Sequence, residues 1–248
     1  MTLGDRMKIY EDVSNYKLVR RMPVIVRIDG RAFHTLTRDL NKPFDLNFIS
    51  VMEQTMKELC ENVCNCVLGY TQSDEITLVL VDYKNIETQP WFDNRVQKMA
   101  SICAAMATVA FNKNLYKLTK GELGHINSNE ELWLLESKFF KATFDARAFN
   151  IPQYEVTNNL IWRQQDATRN SILSLAQSLY PHKQIEGIKC NQLQDKMFTE
   201  KNVNWNDLET RLKRGSCCIK NDEGNWFIDY ETPIFTENRD YIEKLINF

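Results

Sequence analysis

Hydrophobic positions along the chain switch between two periods, and the switches mark elements. Residues 24–28 read Val24, Ile25, Val26, Arg27 and Ile28, a β run that Pro23 can start and Asp29-Gly30 stops. In "PFDLNFISVMEQTMKELCENVC" the apolar residues stand at 48, 49, 52, 56, 59, 60 and 63, a helical spacing. "VLGYTQSDEITLVLV" reads as strand, polar turn and strand, with Ile76, Leu78 and Leu80 on one face. "NRVQKMASICAAMATVAFNKNL" is alanine-rich and helical. The first 110 residues therefore predict β-α-β-β-α. That order points to an α+β fold, a palm-like or ferredoxin-like antiparallel sheet with helices on one side.

Further along, the pattern predicts a short helix at 129–139, a strand in "ATFDARAFNIP" and a long helix in "NNLIWRQQDATRNSILSLAQSLY". Short helical pieces continue to Arg214. "SCCIKNDEGNWFIDYETPIF" predicts a hairpin turning at Asp222 to Asn225, and Thr236 a cap for a last helix. No repeat or Pro/Gly linker divides the chain. The expected organisation is a palm-like core over 1–150 and a mostly helical part with a small hairpin over 151–248, packed on the same domain.

Composition narrows the class. The chain has 248 residues, 43% hydrophobic and 26% charged, with a formal net charge of -2. No apolar run is long enough to span a membrane, and the first residues show no secretory h-region. Seven scattered cysteines and three histidines form no CxxC pair or zinc pattern. Reduced thiols in a cytoplasmic protein are expected. Residues 181–220 carry a local basic surplus, eight Lys/Arg against five Asp/Glu.

The candidate chemistry lies where strands end. Asp29 closes the first strand, and Ser73, Asp74 and Glu75 form the following hairpin turn. Both stretches are also ordinary turn chemistry. If the first strand lies beside the hairpin, Asp29 and Asp74 meet at one end, and crowded carboxylates without a basic partner repel each other. Divalent cations would relieve that repulsion, and hard oxygen ligands beside phosphate suit two Mg²⁺ ions. Gly30, lacking Cβ, would let the backbone approach a metal or triphosphate closely, and the amides up to His34 could cradle phosphates.

Five motifs, "RIDGRAFH", "YTQSDEITLVL", "FDARAFNIP", "WRQQDATRNS" and "DKMFTEKNVNWN", together resemble the tRNA-His guanylyltransferase family and its guanylyltransferase-like branch over residues 5–220. The resemblance implies a polymerase palm that adds nucleotides to the 5′ end of tRNA in the 3′-to-5′ direction, with tRNA, ATP and GTP as partners and a homotetrameric assembly. It implies that Asp29 and Asp74, with the Gly30 carbonyl, bind two Mg²⁺, and that Glu75 supports them. Nucleotide contacts are expected from Asp29, Gly30, Arg31, Ala32, Phe33, His34, Lys42, Ser73 and Asp74. Arg147, Arg163 and Lys196 are expected near phosphate or the tRNA end, with Gln164 and Asp166 beside the site and Trp162 in the core. His125 and His182 receive no role. One departure stands out: tRNA-His enzymes of eukaryotes carry Cys-His-Ile-Asn-Asn where this chain has Ala167, Thr168, Arg169, Asn170 and Ser171. The departure favours templated 5′-end repair over dedicated addition of G₋₁ to tRNA-His. A nucleotidyl cyclase, with the same palm and aspartates, and a non-catalytic RNA-binding protein are the other classes considered.

Overall fold

The computed structural model describes residues 1–247. After helix α1 (Leu3–Asp12) the chain forms strand β1 (Val24–Gly30), a one-turn helix α2 (Phe33–Leu36), helix α3 (Leu46–Asn62) and the hairpin β2 (Cys66–Gln72) and β3 (Glu75–Leu80). Helices α4 (Val96–Thr119) and α5 (Asn129–Glu136) lead to β4 (Phe144–Asn150). Helices α6 (Gln153–Leu179), α7 (Cys190–Lys201) and α8 (Thr210–Arg214) precede the hairpin β5 (Ser216–Lys220) and β6 (Trp226–Asp229), and α9 (Asp240–Ile246) follows.

All six strands join one antiparallel sheet in the order β4-β1-β3-β2-β5-β6. The α+β class with helices packed on an antiparallel sheet is as expected, but the helices cover both faces. Val24, Val26 and Ile28, with Ile76, Leu78 and Leu80, pack under α3 and α4. Ile25, Val79, Leu68 and Tyr70 face Val156 and Leu160 of α6 and Ile242 and Ile246 of α9. The reason is visible in "VIVRI" and "ITLVL": apolar residues occupy both alternating sets, so neither face tolerates water.

Three element boundaries differ from the sequence pattern. Helix α6 starts at Gln153, because Pro152 supplies a fixed φ at its N-cap where the polar run that follows shows no apolar period. Thr236 lies in a turn, and α9 begins only at Asp240 with Arg239 at the N-cap. Helix α1, which the pattern did not flag, is held by a capping box between Thr2 and Asp5 and buries no residue. The C-terminal hairpin is also more than an appendage, since β5 pairs with β2 and extends the sheet across the boundary at 150. The distal half of α6 and α7 form a separate small core around Ile172, Leu175, Leu193 and Met197.

Gln164 is the clearest structural residue in the "WRQQD" motif. Its side-chain amide donates to the Pro233 carbonyl at 2.8 Å and accepts from the Phe235 N–H at 2.9 Å, tying the segment before α9 onto α6. A Gln164→Leu variant leaves both backbone groups buried and unpaired, at a cost of about 1–3 kcal/mol. Melting temperature is expected to fall by roughly 2–10 °C, a loss that thermal unfolding followed by circular dichroism measures.

Candidate active site

Asp29 and Asp74 are brought together by strand pairing. β1 and β3 run antiparallel with Asp29 opposite Glu75, and the Gly30 N–H donates to the Asp74 carbonyl at 3.0 Å. The turn between β2 and β3 is tight: Ser73 adopts φ 51° and its hydroxyl donates to Asp74 Oδ1 at 3.1 Å. Burial pushes the Asp74 carboxyl above its ordinary value, and the Asp29 charge adds to the rise. Among the described residues neither aspartate forms an ion pair, so the cleft holds uncompensated negative charge.

Gly30 is glycine for a reason the motif does not show. A Cβ there would sit 2.4 Å from the Phe33 ring. Phe33 is buried and packs on Phe144 at 4.9 Å, Phe111 at 5.3 Å and Phe48 at 6.1 Å between ring centroids. Residues 30–33 are thus clamped to the core through the Phe33 ring, which forms cavity wall and is not free to stack on a ligand. Ala32 takes a left-handed φ of 56° to turn the chain into α2. The Arg31 N–H is taken by the Thr143 carbonyl at 2.9 Å, and the Arg31 side chain is exposed.

Glu75 differs from the crowded, unpartnered carboxylate that the sequence implied. Its two oxygens accept from Arg163 Nε at 2.7 Å and Nη2 at 3.0 Å, and Arg27 Nε lies 3.7 Å away. Burial pushes Glu75 up, while Arg163 and Arg27 pull it back. Arg163 also donates to Asp166 at 3.1 Å and is only 6% exposed. Arg163, expected near phosphate, spends Nε and Nη2 on Glu75 and Asp166 and so ties α6 to β3. Arg147 stands exposed on edge strand β4, opposite Arg27 and 3.8 Å from Asp145. Trp162, expected in the core, is instead 51% exposed, because it stands on the α6 turn outside the Leu160 stripe.

Beside the aspartates opens a cavity of about 350 Å³. Asp74, Ser73, His34 and Lys42 line one part of it, and Ala167, Asn170, Ser171 and Ser174 of α6 another. Lys42 is exposed, with Nζ 3.4 Å from the Thr37 carbonyl. Asp45 caps α3 by accepting from the Phe48 N–H at 2.8 Å and also holds the Asn41 N–H at 3.1 Å. Lys196 does not line this cavity. It pairs with Glu200 at 2.8 Å and lies over the Tyr180 ring on the α7 side.

The family model for tRNAHis guanylyltransferase matches residues 4–152. This chain belongs to that family. It is a nucleotidyltransferase. An uncharacterised protein of Acanthamoeba polyphaga mimivirus is 30% identical, over 99% of this chain and 88% of its own. A probable tRNA(His) guanylyltransferase of Dictyostelium discoideum is 26% identical over 85% of this chain and 82% of its own. Among solved structures, a bacterial tRNA(His) guanylyltransferase-like protein in complex with ATP superposes with a TM-score of 0.88 at 44% identity, covering 100% of both chains. Another, in complex with GTP, gives 0.81 at 40% identity over 99% of each.

In this guanylyltransferase-family chain the sequence motifs pass over one part of the cavity. Glu53 of α3 is 1% exposed, accepts from the Ser216 hydroxyl at 2.6 Å and pairs with Arg211 at 3.2 Å. Glu53, Ser216 and Arg211 all line the cavity. The one available signal was a glutamate inside the apolar stripe of α3, between Met52 and Met56.

The charge at Asp74 carries a stability cost. A carboxyl whose folded pKa lies above its unfolded value loses stability once it ionises. That penalty is absent below the unfolded pKa and complete above the folded one. Asp74→Asn is therefore expected to raise the melting temperature at pH 7.5 in buffer containing EDTA, by about 2–4 °C per kcal/mol recovered. The gain should shrink as pH falls toward the ordinary aspartate range, which scanning calorimetry across pH measures.

Proposed function

We propose that this protein adds nucleotides to the 5′ end of tRNA in the 3′-to-5′ direction, restoring truncated ends with the nucleotide that pairs with the opposite strand. The observation that carries this reading is the unpaired Asp29–Asp74 couple at the edge of a cavity lined by Ser73, His34 and Lys42. Among the described residues no group of three or more His, Cys, Asp and Glu forms a ready-made metal cluster. The donor set nevertheless fits Mg²⁺, which takes one or two carboxylates and completes its shell with water and substrate phosphate. Asp29, Asp74 and the Gly30 carbonyl would hold it. When bound, such ions supply Lewis-acid stabilisation of the phosphoryl group and a more acidic attacking hydroxyl.

The chain's own residues supply binding and orientation. Lys42 offers a positive charge to triphosphate oxygens, and the first amides of α2 offer donors without intrahelical acceptors. Glu75, pinned by Arg163, fixes the end of β3 beside Asp29 and so sets the spacing of the two aspartates. A 5′-monophosphate end first attacks ATP or GTP, releasing pyrophosphate and leaving a nucleotidylated end. The 3′-hydroxyl of the incoming nucleotide then attacks the 5′ phosphorus, and the nucleoside monophosphate leaves. A triphosphorylated end needs no activation and releases pyrophosphate. The relatives solved with ATP and with GTP support this choice of nucleotides.

Dedicated addition of G₋₁ to tRNA-His is the second reading, and the family name favours it. The cavity wall supports repair instead. Ala167, Asn170 and Ser171 stand on it, and Ser171 is buried, its hydroxyl accepting from Trp205 Nε1 at 2.9 Å. The family asparagine expected at 171 is thus replaced by a smaller group already engaged inside the protein.

Competition in one tube decides between the two. A tRNA lacking its 5′ nucleotide and a full-length tRNA-His are mixed with ATP, GTP, CTP, UTP and Mg²⁺, and products are read at single-nucleotide resolution. The truncated tRNA is expected to have the higher kcat/KM, and changing the opposing base should change the nucleotide added. Preference for tRNA-His with G added whatever stands opposite would overturn the repair assignment.

Asp29→Ala and Asp74→Ala should each lower addition by at least about 100-fold. Mg²⁺ with nucleotide should raise the wild-type melting temperature but not that of either variant. Near wild-type rates in either variant would remove the aspartates from the chemistry.

A further inference from the structure

The indole of Trp162 is half open to solvent and belongs to none of the three apolar clusters. It is not loose, however. The Arg163 guanidinium lies 4.5 Å from its ring centroid and Arg27 5.8 Å. Arg163 is itself held by both oxygens of Glu75. A large exposed apolar ring fixed by a buried ion pair marks a contact surface.

Arg27 adds the second observation. Its side chain makes no hydrogen bond among the described residues, and its buried Nε stands 3.7 Å from Glu75, an ion pair too long for one. Arg163 spends Nε and Nη2 on Glu75 and Asp166, whereas among the described residues no acceptor takes a side-chain donor of Arg27. Arg27 and Asp29 share one strand, two residues apart, and strand alternation puts them on one face. Arg147 stands directly opposite Arg27 on the open edge strand. An aromatic platform and two guanidinium groups thus stand on the α6 side of the sheet near the carboxylates, and none of the three lines the nucleotide cavity.

We propose that Trp162 is the platform on which the terminal nucleobase of the RNA 5′ end stacks, with Arg27 and Arg147 holding the phosphates beside it. The inference rests on the 5′-end reading above and assigns the acceptor's side of the same reaction. Its chemistry agrees with templated selection. Stacking on an indole accepts every base, so the platform orients the end without choosing the nucleotide, and pairing with the opposite strand makes that choice. Trp162 acts as a positioning residue, because it touches the base and not the reacting phosphorus.

The test uses the full chain and an RNA hairpin with a recessed 5′ end whose terminal nucleotide is 2-aminopurine. Wild-type protein is expected to quench the 2-aminopurine fluorescence on binding. Trp162→Ala should lose that quench and raise KM for RNA by about 5- to 100-fold, the range of base–aromatic stacking. KM for ATP, melting temperature and kcat at saturating RNA should stay within about twofold or a few degrees of wild type. Trp162→Phe should restore part of the quench, and Trp162→Leu none. An unchanged quench and KM in Trp162→Ala, with wild type adding nucleotides, would overturn the platform. So would a fall in kcat with KM unchanged, since the indole would then act only by steadying Arg163 and Glu75. A quench that depends on Trp162 in a protein that adds nothing to any 5′ end would support the platform and overturn the 5′-end reading instead.

Discussion

The ion pair between Glu75 and Arg163 is the contact on which the site depends. It joins the first residue of β3 to the middle of α6, 88 positions apart in the chain. Taking either charge out of water costs several kcal/mol, and the bidentate geometry with Asp166 behind it offsets that cost. Removing one partner would strand the other, at about 3–5 kcal/mol. With the pair in place, the end of β3 is rigid, Asp29 is held opposite it, and the Asp74 turn has one place to go. The same helix then presents Asn170, Ser171 and Ser174 to the cavity and Trp162 to the open side.

Two opposed demands meet at this end of the sheet. On the proposed reading Asp74 has to be ionised to attract a cation, yet burial and the neighbouring Asp29 charge both oppose its ionisation. The fold meets the demand by stiffness. Phe33 clamps the chain after Gly30 to an aromatic cluster, and the Ser73 hydroxyl and the tight turn fix Asp74. Basic groups that would cancel the charge are kept occupied elsewhere: Arg163 by Glu75, Arg211 by Glu53 and Glu209. Among the described residues Arg163 and Arg27 both stand by Glu75 and Arg147 by Asp145, and neither Asp29 nor Asp74 has an ion pair.

The proposed reading assigns the cavity and the open sheet surface to different halves of the substrate. The nucleotide side is lined by loop residues 41–45 and by small side chains of α6, a wall that excludes bulk without large apolar area. The RNA side is an open strand surface with cations and one indole. On the proposed reading the incoming nucleotide takes the first of these surfaces and the RNA end the second.

Much of this was legible in the chain itself. The apolar, β-branched runs in "VIVRIDG" and "EITLVL" determined the strands, because such residues favour the pleated backbone. The polar break at Ser73-Asp74 determined the turn, and the motif order determined the family. What alternation could not decide was which helix covers which face, since both sets of positions are apolar. Nor could it decide which charges pair. Arg163 and Glu75 look like free site residues in sequence, and Trp162 looks like core, because burial and partnership are set by contacts between segments far apart in the chain. The sequence determined that two aspartates would end neighbouring strands. Only the tertiary structure decided that Glu75 would be neutralised while Asp29 and Asp74 kept no ion pair, because α6 packs across the sheet with Arg163 aimed at Glu75 and Arg169 turned to Asp166.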